Sequence, residues 1–190
     1  MDNLRGFEKS PLPARSRGTS MLEILVTLLI LAVGMLGLAA LQGQAHTAEL
    51  ESYQRGQALV LLQDITSRME ANLTNAANYV TTPIGTGVTD TADCTMAGSR
   101  AAIDLCEWSK ALKGSSETKG GSTTKAGAMI DGRGCVAAMT TANVYLVSVV
   151  WQGINKTAVP GTPCGSGSYD SENTRRAVTN VVRVPDLSGS

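Results

Sequence analysis

Arg17-Gly18-Thr19-Ser20-Met21-Leu22-Glu23, running on through Ile24-Leu25-Val26-Thr27-Leu28-Leu29 to Leu41, is the stretch whose reading decides the fold. A leader with Lys9, Arg15 and Arg17 ends at a glycine. One carboxylate follows five residues later, and the segment Ile24–Leu41 then carries no charge at all. That length sits at the lower limit for a helix crossing a bilayer. Basic residues before the segment and none close after it set its amino end in the cytoplasm. A lone Glu23 at the border of such a segment is costly in hydrocarbon and calls for a cationic partner.

Working outward, the helical pattern continues past Leu41. Leu59, Leu62, Ile65, Met69, Leu73, Ala76 and Val80 recur at steps of three or four, the spacing of one helical face. Glu49, Glu51, Arg55, Asp64, Arg68 and Glu70 fill the remainder, and no proline occurs between Pro13 and Pro83. The expectation is one helix from Thr19 or Ser20 to about Tyr79, apolar all round over 19–43 and amphipathic over 44–80. The alternative is two helices joined near Gly43. Gly34, Gly37 and Gly43 each cost the helix about 1 kcal/mol relative to alanine. Close helix–helix approach in an apolar medium is one reason to keep them.

Beyond Tyr79 the composition turns to Thr, Gly, Ser and Ala, which predicts a loop-rich region with few large core residues. Ala101–Lys113 has helical periodicity and carries Cys106. Gly114–Gly127 reads as a turn-rich loop. Gly134–Met139, Val144–Trp151 and Arg175–Val184 read as strands, with short links, giving an antiparallel meander. The connection over 154–171 contains Pro160, Pro163 and Cys164. The expected fold class is α+β: a long N-terminal helix whose amphipathic half packs on a small antiparallel sheet within 81–190. Trp108 and Trp151 are read as core residues.

Lysine plus arginine equals aspartate plus glutamate, so the formal net charge is zero. No nucleic-acid partner is expected from that balance. Four cysteines at 94, 106, 135 and 164 lie on the far side of the apolar segment. With one histidine, His46, in the chain, a metal site is not expected, and disulfides in an oxidising compartment are. Three connectivities are possible, of which Cys94–Cys106 with Cys135–Cys164 is favoured. No catalytic constellation is present and no cofactor is indicated. Gly85-Thr86-Gly87 and Gly165-Ser166-Gly167 lack the lysine of a phosphate loop and read as turns. Asp90, Asp93 and Asp104 do not have calcium-loop spacing and read as solvated loop carboxylates.

Gly18, Thr19 and Glu23, with the phrase Met21-Leu22-Glu23-Ile24-Leu25-Val26 and Gly34-Met35-Leu36-Gly37, resemble the signal and helix of type IV pilins and type II secretion pseudopilins. The likeness is greatest to minor pilins of the PilV type, and runs from about Arg15 to Tyr53. It implies a pilin fold with a disulfide-tied C-terminal region. It implies removal of residues 1–18 by a prepilin peptidase cutting after Gly18, and N-methylation at Thr19, where the family more often has Phe or Met. Glu23 would then meet the new α-amino group of its own or an adjacent subunit. Such a pair at ~4 Å is worth roughly 4 kcal/mol at an effective dielectric of 20. The implied partners are the lipid bilayer, an inner-membrane assembly platform, other minor pilins and the major pilin. The implied location is the inner membrane, in a single pass with the globular region periplasmic, and then the extracellular fibre. The implied role is priming fibre assembly, at the tip or in the shaft, in support of twitching motility and adhesion. A secretion-system pseudopilin, a tip adhesin or DNA-uptake receptor, and a signal-anchored periplasmic enzyme are the other readings.

Overall fold

The computed structural model describes residues 20–114 and 129–185. Gly18 and Thr19 lie outside these residues, as does nearly all of the expected loop Gly114–Gly127. The chain divides into two compact units, Met1–Ala45 and His46–Ser190.

Helix α1 runs unbroken over Ser20–Glu70. Its first-turn acid is Glu23 and its last-turn base is Arg68, each at the end where the helix dipole favours its sign. In the first unit every described residue of α1 is exposed. In the second, Ala58, Leu62, Ile65 and Met69 are buried at steps of four, three and four.

The helix stops nine residues short of the expected Tyr79. At Asn72 the backbone leaves helical space (φ −134°, ψ 44°), and the chain resumes as a 3-10 segment over Leu73–Tyr79. Asn72 and Asn75 compete with the helix through their side chains: Asn75 Nδ2 donates to Asn72 Oδ1 at 2.8 Å, and Asn72 Nδ2 to the Tyr79 hydroxyl at 3.3 Å. The break turns Tyr79 fully into the core and leaves Val80 46% exposed. Leu59, expected on the buried face, is 49% exposed, and Ala58 occupies that place.

Helix α2 covers Arg100–Leu112, with Ser99 Oγ capping it by accepting from the Ala102 N–H at 3.2 Å. Four strands form one antiparallel sheet in chain order: β1 (Thr81–Gly85), β2 (Arg133–Ala138), β3 (Val144–Gln152) and β4 (Arg175–Arg183). The β2–β3 hairpin is short. The β3–β4 link, expected over 154–171, spans 153–174 and packs on one sheet face through Cys164.

One apolar cluster joins α1 (Ala58, Leu62, Ile65, Met69), α2 (Trp108, Leu112) and one sheet face (Val136, Val147, Val149, Trp151, Val178, Val182). Trp108 is its largest fully buried side chain, and its indole N–H donates to the Leu61 carbonyl at 3.0 Å. Gly134 makes room for that ring: a Cβ there would lie 2.3 Å from Trp108 Cη2. The opposite sheet face carries a smaller cluster of Cys135, Val150 and Cys164, flanked by Tyr169 and Ala177.

Candidate functional site

The apolar half of α1 presents fourteen large apolar side chains between Met21 and Leu41, each at least 45% exposed. Full burial of such a side chain is worth about 1.5–3 kcal/mol, so leaving all of them in water forgoes roughly 20–40 kcal/mol. The segment therefore belongs in lipid or against other apolar helices. By length and composition α1 is able to cross a membrane. The uncharged run Ile24–Leu41 is about 27 Å long at 1.5 Å per residue, close to a bilayer's hydrocarbon thickness. Glu23 is the one charged residue between Ser20 and Ala45 and stands exposed in the first turn. The Thr27 hydroxyl removes itself from apolar surroundings by donating to the Ile24 carbonyl at 2.9 Å. A Cβ added at Gly34 or Gly37 would meet nothing within 4 Å. Among the described residues no contact requires either glycine.

In the second unit three polar clamps hold the amphipathic part of α1. At one, Glu51 Oε1 accepts from the backbone N–H groups of Ile154 (3.1 Å) and Asn155 (2.9 Å) and from Arg176 Nη2 (3.2 Å). The Asn155 N–H chiefly, against the pull of partial burial and with help from the Arg176 charge, holds the Glu51 carboxyl below the usual glutamate range. Trp108 supplies the second clamp, at Leu61.

The third is built round Arg68, which donates to Asp64 (3.1 Å), Asp104 (3.1 Å) and Glu107. Asp104 also accepts from the Tyr79 hydroxyl at 2.5 Å and pairs with Arg100 at 3.0 Å. Asp104 is only 1% exposed, so it is a buried, fully partnered carboxylate and not the solvated loop residue expected. Burial pulls Arg68 down, but its bonds to Glu107, Asp64 and Asp104 outweigh this and hold it above the ordinary arginine value. Asp90 is likewise not fully solvated. It accepts from Ser109 and Lys113, both at 2.5 Å. Asp93 is exposed and caps a short 3-10 turn through the Thr95 N–H.

The cysteines pair as Cys94–Cys106 (Cα–Cα 5.5 Å) and Cys135–Cys164 (5.9 Å). The first ties the turn before α2 to α2, and the second ties the β3–β4 link to β2. Arg175 reinforces the second. It is 2% exposed, and its Nη1 donates to the carbonyls of Thr162 (2.7 Å) and Cys164 (3.0 Å). Among the described residues no group of three or more His, Cys, Asp or Glu side chains is placed to hold a metal. The turns at Gly85-Thr86-Gly87 and Gly165-Ser166-Gly167 use positive φ at both glycines of each.

The clamps at Glu51, Arg68–Asp104 and Arg175 carry no sequence signal beyond charge at a helix or strand position. Glu51 meets its partners more than a hundred residues away and Arg68 meets Asp104 36 residues away, while Arg175 reaches back 11 and 13 residues to carbonyls of an irregular link. Comparison with family models, with curated proteins and with solved structures returns no match. The functional reading accordingly rests on residues and geometry.

Proposed function

We propose that this chain is a minor pilin, a subunit that is held in the inner membrane by α1, processed after Gly18, and drawn into a type IV pilus with other minor pilins. The observation that carries the reading is the apolar, fully exposed half of α1 with its single carboxylate, Glu23, five residues beyond Gly18. A helix so composed is at home in lipid and in a bundle of its own kind. It can exchange one for the other at little cost in apolar burial. Gly34 and Gly37, unneeded by any described contact in the chain, suit close approach of a neighbouring helix. Glu23 would neutralise the α-amino group exposed at Thr19, pairing two charges that are each expensive in an apolar bundle. The second unit, clamped onto the amphipathic helix, would select neighbours. The chain makes and breaks no bond in this role and is itself the substrate of the prepilin peptidase.

The test is mass analysis of the amino terminus of the protein recovered from sheared surface fibres and from membranes. The expected result is a chain starting at N-methylated Thr19 in both. A chain that begins at Met1, or that is absent from fibres while processed in membranes, overturns the pilus assignment.

A further inference from the structure

The two edges of the sheet are treated differently. β1 is five residues long, contains Pro83, and slips register between Thr81 and Ile84, which are standard ways of blunting an edge. β4 is nine residues long, has no proline, and keeps one unbroken register with β3 from Arg175 to Arg183. Among the described residues nothing pairs with its other side.

The hydrogen-bond phase of that edge follows from the ladder's ends. Gly153 N–H donates to Thr174 O, and Val184 N–H to Asn143 O, both at 2.8 Å and both in the β3–β4 register. Antiparallel pairs alternate. The even-numbered residues of β4 therefore bond to β3, and Ala177, Thr179, Val181 and Arg183 aim their N–H and C=O groups away from the sheet. The Val181 N–H is held by the Asn180 side chain at 2.9 Å, a local stopper on an otherwise open ladder. On the sheet's outer face, Val181 (44% exposed) ends the cross-strand row Ala137–Leu146–Val181. Arg183 is exposed and has no ion pair among the described residues.

We propose that β4 accepts a fifth strand from a different protein, an extended segment that places an apolar residue beside Val181 and an acidic residue beside Arg183. Backbone groups of Ala177, Thr179 and Arg183 supply the ladder, and Asn180 yields the Val181 N–H to the incoming carbonyl. A second copy of this chain is the wrong occupant. β4 carries three arginines and no carboxylate, so β4 paired with itself offers Arg183 no acid in any register. The inference needs only the folded second unit and stands apart from the pilin reading, which N-terminal processing tests separately.

The experiment uses the full chain in its own cells, with a photoreactive benzophenone amino acid at Val181 and peptide sequencing of the adducts. The expected adduct is a single extended segment of another protein with a carboxylate within two residues of the attachment point. Thr179→Pro removes an edge N–H that β3 does not use, and should lower the yield at least tenfold while both disulfides and trypsin resistance persist. Arg183→Glu, an exposed change with no described partner to lose, should also lower it tenfold, and exchanging the partner's acid for arginine should restore it. Adducts only to a second copy, adducts only to residues 115–128 of the same chain, no adduct, or yields unmoved by Arg183→Glu would each overturn the proposal.

Discussion

Glu51→Ala is the sharpest probe of how the helix is fastened to the sheet. The substitution takes away the shared acceptor of two backbone N–H groups and the ion-pair partner of Arg176. The side chains of Glu51 and Arg176 are 26% and 15% exposed, so water recovers part of what is lost. Ile154 and Asn155 lie in an exposed link, and their N–H groups rehydrate at about 0.5–1 kcal/mol each. The ion pair adds about 1 kcal/mol. The expected loss is about 2–3 kcal/mol, or roughly 6–9 °C in Tm for a domain of this size. Glu51→Gln keeps an acceptor and should cost about 1 kcal/mol.

Acid separates the charge from the geometry. Because the folded carboxyl titrates below the unfolded one, the stabilisation is complete above the ordinary glutamate value near 4.3 and fades as pH falls through the lower folded value. The Tm gap between the native chain and Glu51→Gln should hold from pH 7 to 5 and narrow as pH falls below the ordinary glutamate value. Thermal unfolding of the detergent-solubilised full chain, followed by near-ultraviolet circular dichroism, measures both. A loss under 0.5 kcal/mol for Glu51→Ala, or a gap that does not narrow in acid, would refute the clamp.

Gly134→Ala should cost about 3 kcal/mol by driving a methyl into Trp108, whose indole is anchored at Leu61. In the double variant with Trp108→Leu the two losses should fall short of their sum by at least about 1 kcal/mol, as urea titration would show. Replacing Cys135 and Cys164 together by serine should remove about 3 kcal/mol, less than the chain-entropy value of ~3.6 for a loop of that separation because Arg175 still holds the link; the urea midpoint reports it. Glu23→Ala should leave leader removal intact on an immunoblot yet lower the amount in sheared fibres at least tenfold. Normal incorporation would sink the pairing role given to that carboxylate.

The apolar segment and the amphipathic face are legible because each keeps one character over many residues, and three of the four strands because each is a short run rich in apolar or β-branched residues bounded by turn residues. β1 is not. Thr81-Thr82-Pro83-Ile84-Gly85 has β-branched residues but no alternation, its proline argues against a strand, and it becomes one because β2 offers an edge while Ile84 packs against the core. The end of α1 was equally hidden, since Leu73, Ala76 and Val80 keep the helical step through residues that fold as a 3-10 turn. Only Asn72 and Asn75 hint at the break. The burial of Asp104 is invisible in the sequence for a different reason. Its burial depends on Arg68, Tyr79 and Arg100, two of them on elements distant in sequence, and no local pattern records such a meeting. Of the candidate site, Glu23 and its apolar run are fully visible, whereas the clamps that fix the outer unit are tertiary facts.

Arg175 bears on how the molecule matures. Its guanidinium gathers the Thr162 and Cys164 carbonyls without any help from sulfur chemistry. In a still reduced chain the same two bonds would hold Cys164 beside Cys135, raising the effective concentration of one thiol at the other. Oxidation would then record a choice already made by electrostatics among the three pairings that four cysteines permit.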